Sequence, residues 1–97
     1  MKLVYSLLKK IPKGKVTTYK ELGRVTNLHP RVIGMLMKKN KHPEKIPCYK
    51  VVMSNGSIGG YSCKGGVKRK IMLLKREGIV VKNGKIDLKK YLYSFIS

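Results

Sequence analysis

The run TYKELGRVTNLHPRVIGMLMKK, Thr18 to Lys39, decides the fold, because two helix starts and a turn can be read within it. Thr18 followed by Glu21 is a capping-box pattern, in which the Thr oxygen accepts from the backbone N–H three residues on and the Glu reaches back. It predicts a helix over about 19–25 with Leu22 and Val25 turned inward. Asn27 and Leu28 make a tight turn. Pro30 suits the first position of a new helix, where its missing N–H removes no bond. That helix is expected to run to about Lys39, with Val32, Ile33, Met35 and Leu36 as its apolar side. Two short helices joined by a tight turn, the second carrying Arg31, Lys38 and Lys39, read as a helix-turn-helix. Such patterns have many false positives, so the remaining chain must agree with them.

Upstream, Leu3, Val4, Leu7 and Leu8 recur at helical spacing over residues 3–10, and Pro12 with Gly14 ends that segment. Downstream, residues 40–47 form a polar loop, and Lys50-Val51-Val52-Met53 is a short strand candidate before the turn residues 54–57 and Ile58. The glycine-rich stretch 59–66 matches neither the P-loop nor the dinucleotide fingerprint. A helix from about Val67 to Glu77 would bury Ile71, Leu73 and Leu74 and stop at Gly78. Ile79-Val80-Val81 and Ile86–Leu88, joined through Asn83-Gly84, predict a hairpin with a favoured two-residue turn, placed to act as a wing. Tyr91, Leu92, Tyr93, Phe95 and Ile96 are expected to pack onto the core. The expected fold is mainly α with a small β element: a winged helix-turn-helix-like single domain over 1–97, without repeats or linkers.

At 97 residues one domain is expected, with little room for a deep cavity. Lys and Arg number 23 against four acids (Glu21, Glu44, Glu77 and Asp87), a net charge of +19. A thermophile-style enrichment in Lys would bring matching Glu, since ion-pair networks need both signs. The imbalance points instead to a polyanion, and nucleic acid is the commonest one. An anionic membrane surface would also attract it, yet no apolar run approaches the roughly twenty residues of a spanning helix and no signal peptide is evident. The two cysteines, Cys48 and Cys63, are too few for a disulfide framework. With only His29 and His42 besides, no metal-ligand spacing appears. Neither metal nor cofactor is expected. An intracellular monomer with reduced thiols is the expectation, in cytoplasm or nucleoid, or in the nucleus of a eukaryote. Both histidines lie in loops and read as solvated or phosphate-facing.

The segment Ile46-Pro47-Cys48-Tyr49-Lys50-Val51-Val52 resembles the active-site signature Pro-Cys-His-Arg-Val of the O6-alkylguanine-DNA alkyltransferases, suicide repair proteins. The likeness extends further. Residues 11–19 look like that family's entry into its helix-turn-helix. Pro30-Arg31-Val32-Ile33-Gly34-Met35 and Asn40 fall at the spacing of its recognition helix and asparagine hinge. Gly59-Gly60-Tyr61-Ser62 looks like its active-site loop, and Leu73-Leu74-Lys75-Arg76-Glu77-Gly78 like its closing helix. The match covers about residues 1–78.

The resemblance implies a partner, double-stranded DNA containing O6-alkylguanine, and irreversible transfer of the alkyl group to Cys48 with base flipping. A thiolate is a strong nucleophile toward an sp3 carbon, and Pro47, Lys50 and a basic surface read as electropositive surroundings. Glu77 would be the far end of a Cys–His–Glu relay. A carboxylate near a helix C-terminus is disfavoured by the dipole, so something should hold it there. Tyr19 and Arg31 match the residues that extrude the base, the guanidinium filling the gap in the stack. Gly34 would let the recognition helix approach the minor groove, with Lys38 and Asn40 beside it. Tyr61, Ser62 and main-chain groups around Val51 would line the pocket. Cys63, where the family often has glycine, would narrow that pocket or be a bystander. The family's additional N-terminal domain has no counterpart in the residues that carry the resemblance, so the expectation is either a chain without that domain or a repair module of a longer fusion protein.

The chain departs from the family at Tyr49, which stands where the relay histidine is expected. A phenol, with a reference pKa near 10, is a poor base at neutral pH. Three accounts stay open: the phenol hydrogen-bonds the thiolate or a bridging water; the positive field of the domain ionises the thiol without a base; or the protein binds lesions and reacts slowly, if at all. The single-domain alkyltransferase-like lesion sensors share this size but carry tryptophan in place of the cysteine, so Cys48 separates the chain from them. A winged-helix regulator is a third class, though regulators usually read half-sites as dimers and no dimerisation segment is evident.

Overall fold

The computed structural model describes residues 2–40, 45–59, 65–93 and 95. In chain order they form α1 (Lys2–Lys10), β1 (Thr17–Thr18), α2 (Tyr19–Thr26), α3 (Pro30–Lys39), a 3₁₀ turn (Cys48–Lys50), β2 (Val51–Val52), α4 (Gly66–Arg76) and α5 (Leu88–Tyr91). The architecture is mainly helical with one small sheet.

The helix-turn-helix forms from the local signals. Thr18 Oγ1 accepts the Glu21 N–H at 3.0 Å, and α2 ends on Asn27 in the left-handed region at φ 60°. Only half of the capping box closes. Thr18 is engaged in the sheet opposite Val52, and the Glu21 carboxylate turns instead to the Arg24 guanidinium at 2.9 Å and the Phe95 N–H at 3.2 Å. His29, expected to be solvated or phosphate-facing, is exposed and also caps α3 by accepting the Arg31 N–H on Nδ1 at 3.0 Å; His42 lies outside the described residues. Gly23 makes the tight turn possible, since a Cβ there would lie 2.7 Å from the Leu28 carbonyl oxygen. Gly23→Ala is therefore expected to cost about 1–3 kcal/mol, as overpacking does. For a domain of this size that lowers Tm by roughly 4–8 °C per kcal/mol, and an unchanged melting curve would contradict the packing.

The apolar stripe of α3 is rotated from the expected one. Ile33, Leu36 and Met37 are buried, whereas Val32 and Met35 are 37% and 51% exposed. Four expected positions span too wide an arc to all face α2; the i, i+3, i+4 set 33, 36, 37 fits one face. Leu3 is likewise exposed while Val4 and Leu8 of α1 are buried.

β2 pairs in parallel with β1, Thr17 opposite Val51 and Thr18 opposite Val52. The C-terminal segment joins beside Val16, which donates to Tyr91 O and accepts from the Tyr93 N–H, both at 2.8 Å. Tyr91 and Phe95 are buried and Leu92 is not; Ile96 lies outside the described residues. The expected two-strand wing does not form. Asn83 and Gly84 adopt the left-handed pair the turn needs, φ 53° and 72°, and Lys82 and Lys85 exchange 2.9 Å bonds across it. But neighbouring elements claim both flanks. Ile79 N–H bonds Leu74 O and Gly78 N–H bonds Lys75 O, a Schellman stop for α4, while Asp87 caps α5. The turn packs instead on residues 56–58. On α4 the fully buried positions are Lys70 and Leu74, with Ile71 and Leu73 only partly covered.

Candidate active site

Cys48 opens the 3₁₀ turn, its N–H donating to Ile46 O at 2.7 Å and its carbonyl accepting the Val51 N–H. Its side chain is 4% exposed and sits among Val4, Leu8, Leu22, Ile33 and Leu36. Lys50, expected as an electropositive flank of the sulfur, has its ammonium bonded to other groups. Lys50 is itself buried, and its Nζ turns to the carbonyls of Ile11 and Pro12, each at 3.1 Å, and to Glu77 Oε1 at 3.0 Å. A buried ammonium must find acceptors, and the two carbonyls and the carboxylate supply them.

Glu77, the C-cap of α4, is held as its unfavourable position required. Tyr49 Oη donates to Oε2, while the Gly14 N–H at 3.0 Å and Lys50 Nζ at 3.0 Å meet Oε1. Burial pushes the carboxyl up, but the bonds from Tyr49, Gly14 and Lys50 and the Lys50 charge outweigh it and hold Glu77 below its ordinary 4.5. Tyr49 moves the other way. Burial first, then its bond to Glu77 and the charges of Glu77 and Cys48, raise it well above 10.0. Tyr49 is thus a neutral phenol whose one proton is committed to Glu77. It has no donor left for a thiolate and cannot act as a base at neutral pH, which removes the first of the three accounts as far as donation goes.

The groups whose ionisation couples to Cys48 come from several elements: Tyr5 on α1, Tyr19 at the start of α2, Tyr49 beside it, and Lys70 on α4. Tyr5 Oη donates to Leu36 O at 2.9 Å, tying α1 to α3. Lys70 was not among the expected site residues. Its side chain is 1% exposed, and Nζ donates to Val51 O at 2.8 Å. Burial pushes its ammonium down to about 8, against the pull of Cys48, which raises it. The sequence does carry a signal: Lys70 lies one turn before Leu74 on the inward stripe of α4, where lysine is rarely found without a partner.

The remaining expected residues divide by location. Arg31, Lys38 and Lys39 are exposed along α3. At Gly34 a Cβ would meet no atom within 4 Å, so this helix face is open to a close approach. Asn40 is elsewhere: 4% exposed, it closes α3 and donates from Nδ2 to Ile46 O at 2.8 Å. Its place is a clasp that fixes the segment leading to Cys48, not the exposed basic face. Tyr19 is half-buried against the core that holds Cys48. Val51 offers its carbonyl to Lys70. Tyr61, Ser62 and Cys63 lie outside the described residues. Among the described residues no cluster of His, Cys, Asp or Glu could hold a metal ion, and no helix is long and apolar enough to cross a membrane.

Known proteins share both the sequence and the fold. A family model described as the DNA-binding domain of 6-O-methylguanine DNA methyltransferase matches residues 1–79. The chain is 46% identical over 93 residues to a bifunctional methyltransferase/endonuclease of Picrophilus torridus, which covers 94% of this chain and 30% of that protein. The O6-methylguanine-DNA methyltransferase of Pyrococcus kodakaraensis superposes with a TM-score of 0.73 at 42% identity, over 80% of this chain and 45% of that one. Atl1 of S. pombe, in complex with damaged DNA containing O6-carboxymethylguanine, superposes with a TM-score of 0.84 at 28% identity, over 95% of this chain and 92% of that one. The chain spans half or less of the length of the curated relatives it matches.

Proposed function

The chain belongs to the 6-O-methylguanine DNA methyltransferase family, matching its DNA-binding domain, and from that premise we propose that it repairs duplex DNA by taking the alkyl group of O6-alkylguanine onto Cys48. The observation that carries this reading is the seating of Cys48: the signature cysteine is locked at the first residue of a 3₁₀ turn, between the helix-turn-helix and α4. The open, basic face of α3 binds the duplex. Arg31 fills the gap left by the everted base, Tyr19 crowds it out, and Gly34 allows the close approach. The exposed apolar Val32 and Met35 beside these cations suit a face that meets bases as well as phosphates. By the family resemblance, Tyr61, Ser62 and main-chain groups around Val51 would line the pocket for the everted base. The Cys48 thiolate attacks the alkyl carbon in line; a C–S bond forms as the C–O6 bond breaks, the electron pair leaves on guanine, and guanine takes up a proton. Each molecule reacts once.

A lesion sensor that does not transfer is the second reading, favoured by the likeness to Atl1 over nearly its full length and by a Tyr49 tied to Glu77. Duplex DNA carrying labelled O6-methylguanine separates the two. Transfer predicts a methyl-sized mass increment on the Cys48 peptide, lost in Cys48→Ala. If folded, DNA-bound protein acquires no label, and lesion-selective affinity is indifferent to Cys48→Ala, the sensor reading holds instead.

A further inference from the structure

Of the 23 cations in the chain, α3 presents Arg31, Lys38 and Lys39 to the duplex. A second group gathers where three other segments are tied together. The Gly14 N–H meets the Glu77 carboxylate at 3.0 Å, Lys15 Nζ donates to Lys90 O at 2.9 Å, and the Val16 N–H donates to Tyr91 O at 2.8 Å. These bonds draw residues 13–16, the end of α4 and α5 to one place, and with them Lys13, Lys15, Lys75, Arg76, Lys89 and Lys90. Lys15 is half-buried and the other five are exposed. We propose that this cluster is a second duplex-binding face, which takes the phosphates of another DNA segment while α3 holds the first. The proposal rests on α3 being the face that meets the first duplex.

β2 sets the two faces apart. Successive residues of a strand point to opposite sides. Val51 packs in the core that buries Ile33, Leu36 and Met37 of α3, whereas Val52 packs in the core of Val16, Leu74 and Tyr91. The cluster is built on the second core and α3 on the first. Its charge is also unanswered. Among the described residues the ion pairs are Arg24–Glu21 and Lys50–Glu77, and neither involves the cluster. The Glu77 carboxylate is taken by Tyr49, Gly14 and Lys50, and Asp87 accepts the Lys89 N–H in capping α5. A helix C-terminus favours cations, which accounts for Lys75 and Arg76 but not for the loop lysines drawn in beside them. Like charges held together repel, and a polyanion relieves that repulsion. Duplex DNA offers a charge for about every 1.7 Å of its axis. Once α3 is bound, further segments of the same polymer stand at high effective concentration. A molecule with two such faces passes from one segment to the next without first coming free.

The test is the rate at which the protein leaves a short labelled duplex as unlabelled duplex is added in rising amounts. With one face the rate ignores the competitor; with two it should climb in proportion to it. Replacing Lys13, Lys75, Arg76 and Lys89 by Gln should abolish that dependence, and exchanging Lys for Arg and Arg for Lys at the same four positions should keep it. Lys75→Gln with Arg76→Gln should lower it. Lys82→Gln with Lys85→Gln removes two exposed charges outside the cluster and should leave it in place. A dependence that survives the fourfold Gln replacement overturns the proposal. An equal loss in the Lys82 and Lys85 variant overturns it too, by giving the effect to the overall field. Polyglutamate is the second competitor, and release as fast as with duplex at matched charge would give the face to acidic polypeptides instead. Transfer of a labelled methyl group to Cys48 is scored on the same variants. Competitor dependence without transfer sinks the repair reading and leaves the second face standing, and transfer without competitor dependence does the reverse.

Discussion

Glu77→Ala is expected to lower the unfolding free energy by about 3–5 kcal/mol, the usual result of removing one partner of a buried ion pair. The side chains of Lys50 and Glu77 are 6% and 12% exposed. Truncation would leave the Lys50 ammonium buried with only the carbonyls of Ile11 and Pro12, and would strip the acceptor from Tyr49 Oη and the Gly14 N–H. Denaturant unfolding measures it directly, and a loss under about 1 kcal/mol, the range of a surface pair, would show that the network is not sealed from water. Lys50→Met in the Glu77→Ala background should recover a large part of the loss, because the uncompensated charge is then gone. The pH dependence has a defined sign. Glu77 is held below its ordinary 4.5 in the folded state, so its contribution is complete above about that pH and is lost as pH falls through the lower native value. Glu77→Gln should flatten that acid limb and leave the neutral and alkaline range parallel to the unsubstituted protein.

Affinity for duplex DNA is expected to fall by about a thousandfold or more between 50 and 200 mM salt if six or more phosphates are neutralised, since binding releases condensed counterions. With a net charge of +19 on 97 residues that many are within reach. Arg31, Lys38 and Lys39 should carry part of it. Replacing all three by Ala should reduce the slope of log K against log salt by about 0.9 for each phosphate that is no longer neutralised. An unchanged slope would place the duplex on another face. Arg31 can be resolved further. Arg31→Lys keeps the charge and so should keep the slope, but an ammonium has no planar group to fill a gap between bases. Transfer should slow while affinity holds. Equal affinity and equal transfer would reduce Arg31 to a phosphate ligand.

Local chemistry was legible in the chain. Thr18, Asn27 and Pro30 each act within a few residues of themselves, so the two helices and their turn could be bounded from sequence, and the Schellman stop after Glu77 likewise. The excess of cations and the single Pro-Cys signature needed no coordinates either. What the sequence left open were the pairings between distant parts. Gly14 and Glu77 lie 63 residues apart and Tyr49 and Glu77 28 apart, yet they share one carboxylate. Tertiary packing also turned α3 so that Met35 faces out, and drew residues 79–88 to the ends of α4 and α5 in place of a wing. It buried Lys70 as well, and sent Lys50 to Glu77. The physical reason is common to all of them. A cap is satisfied by its own neighbours, whereas a buried charge or polar group takes whichever partner the closed fold brings near, and periodicity along the chain does not say which one that will be.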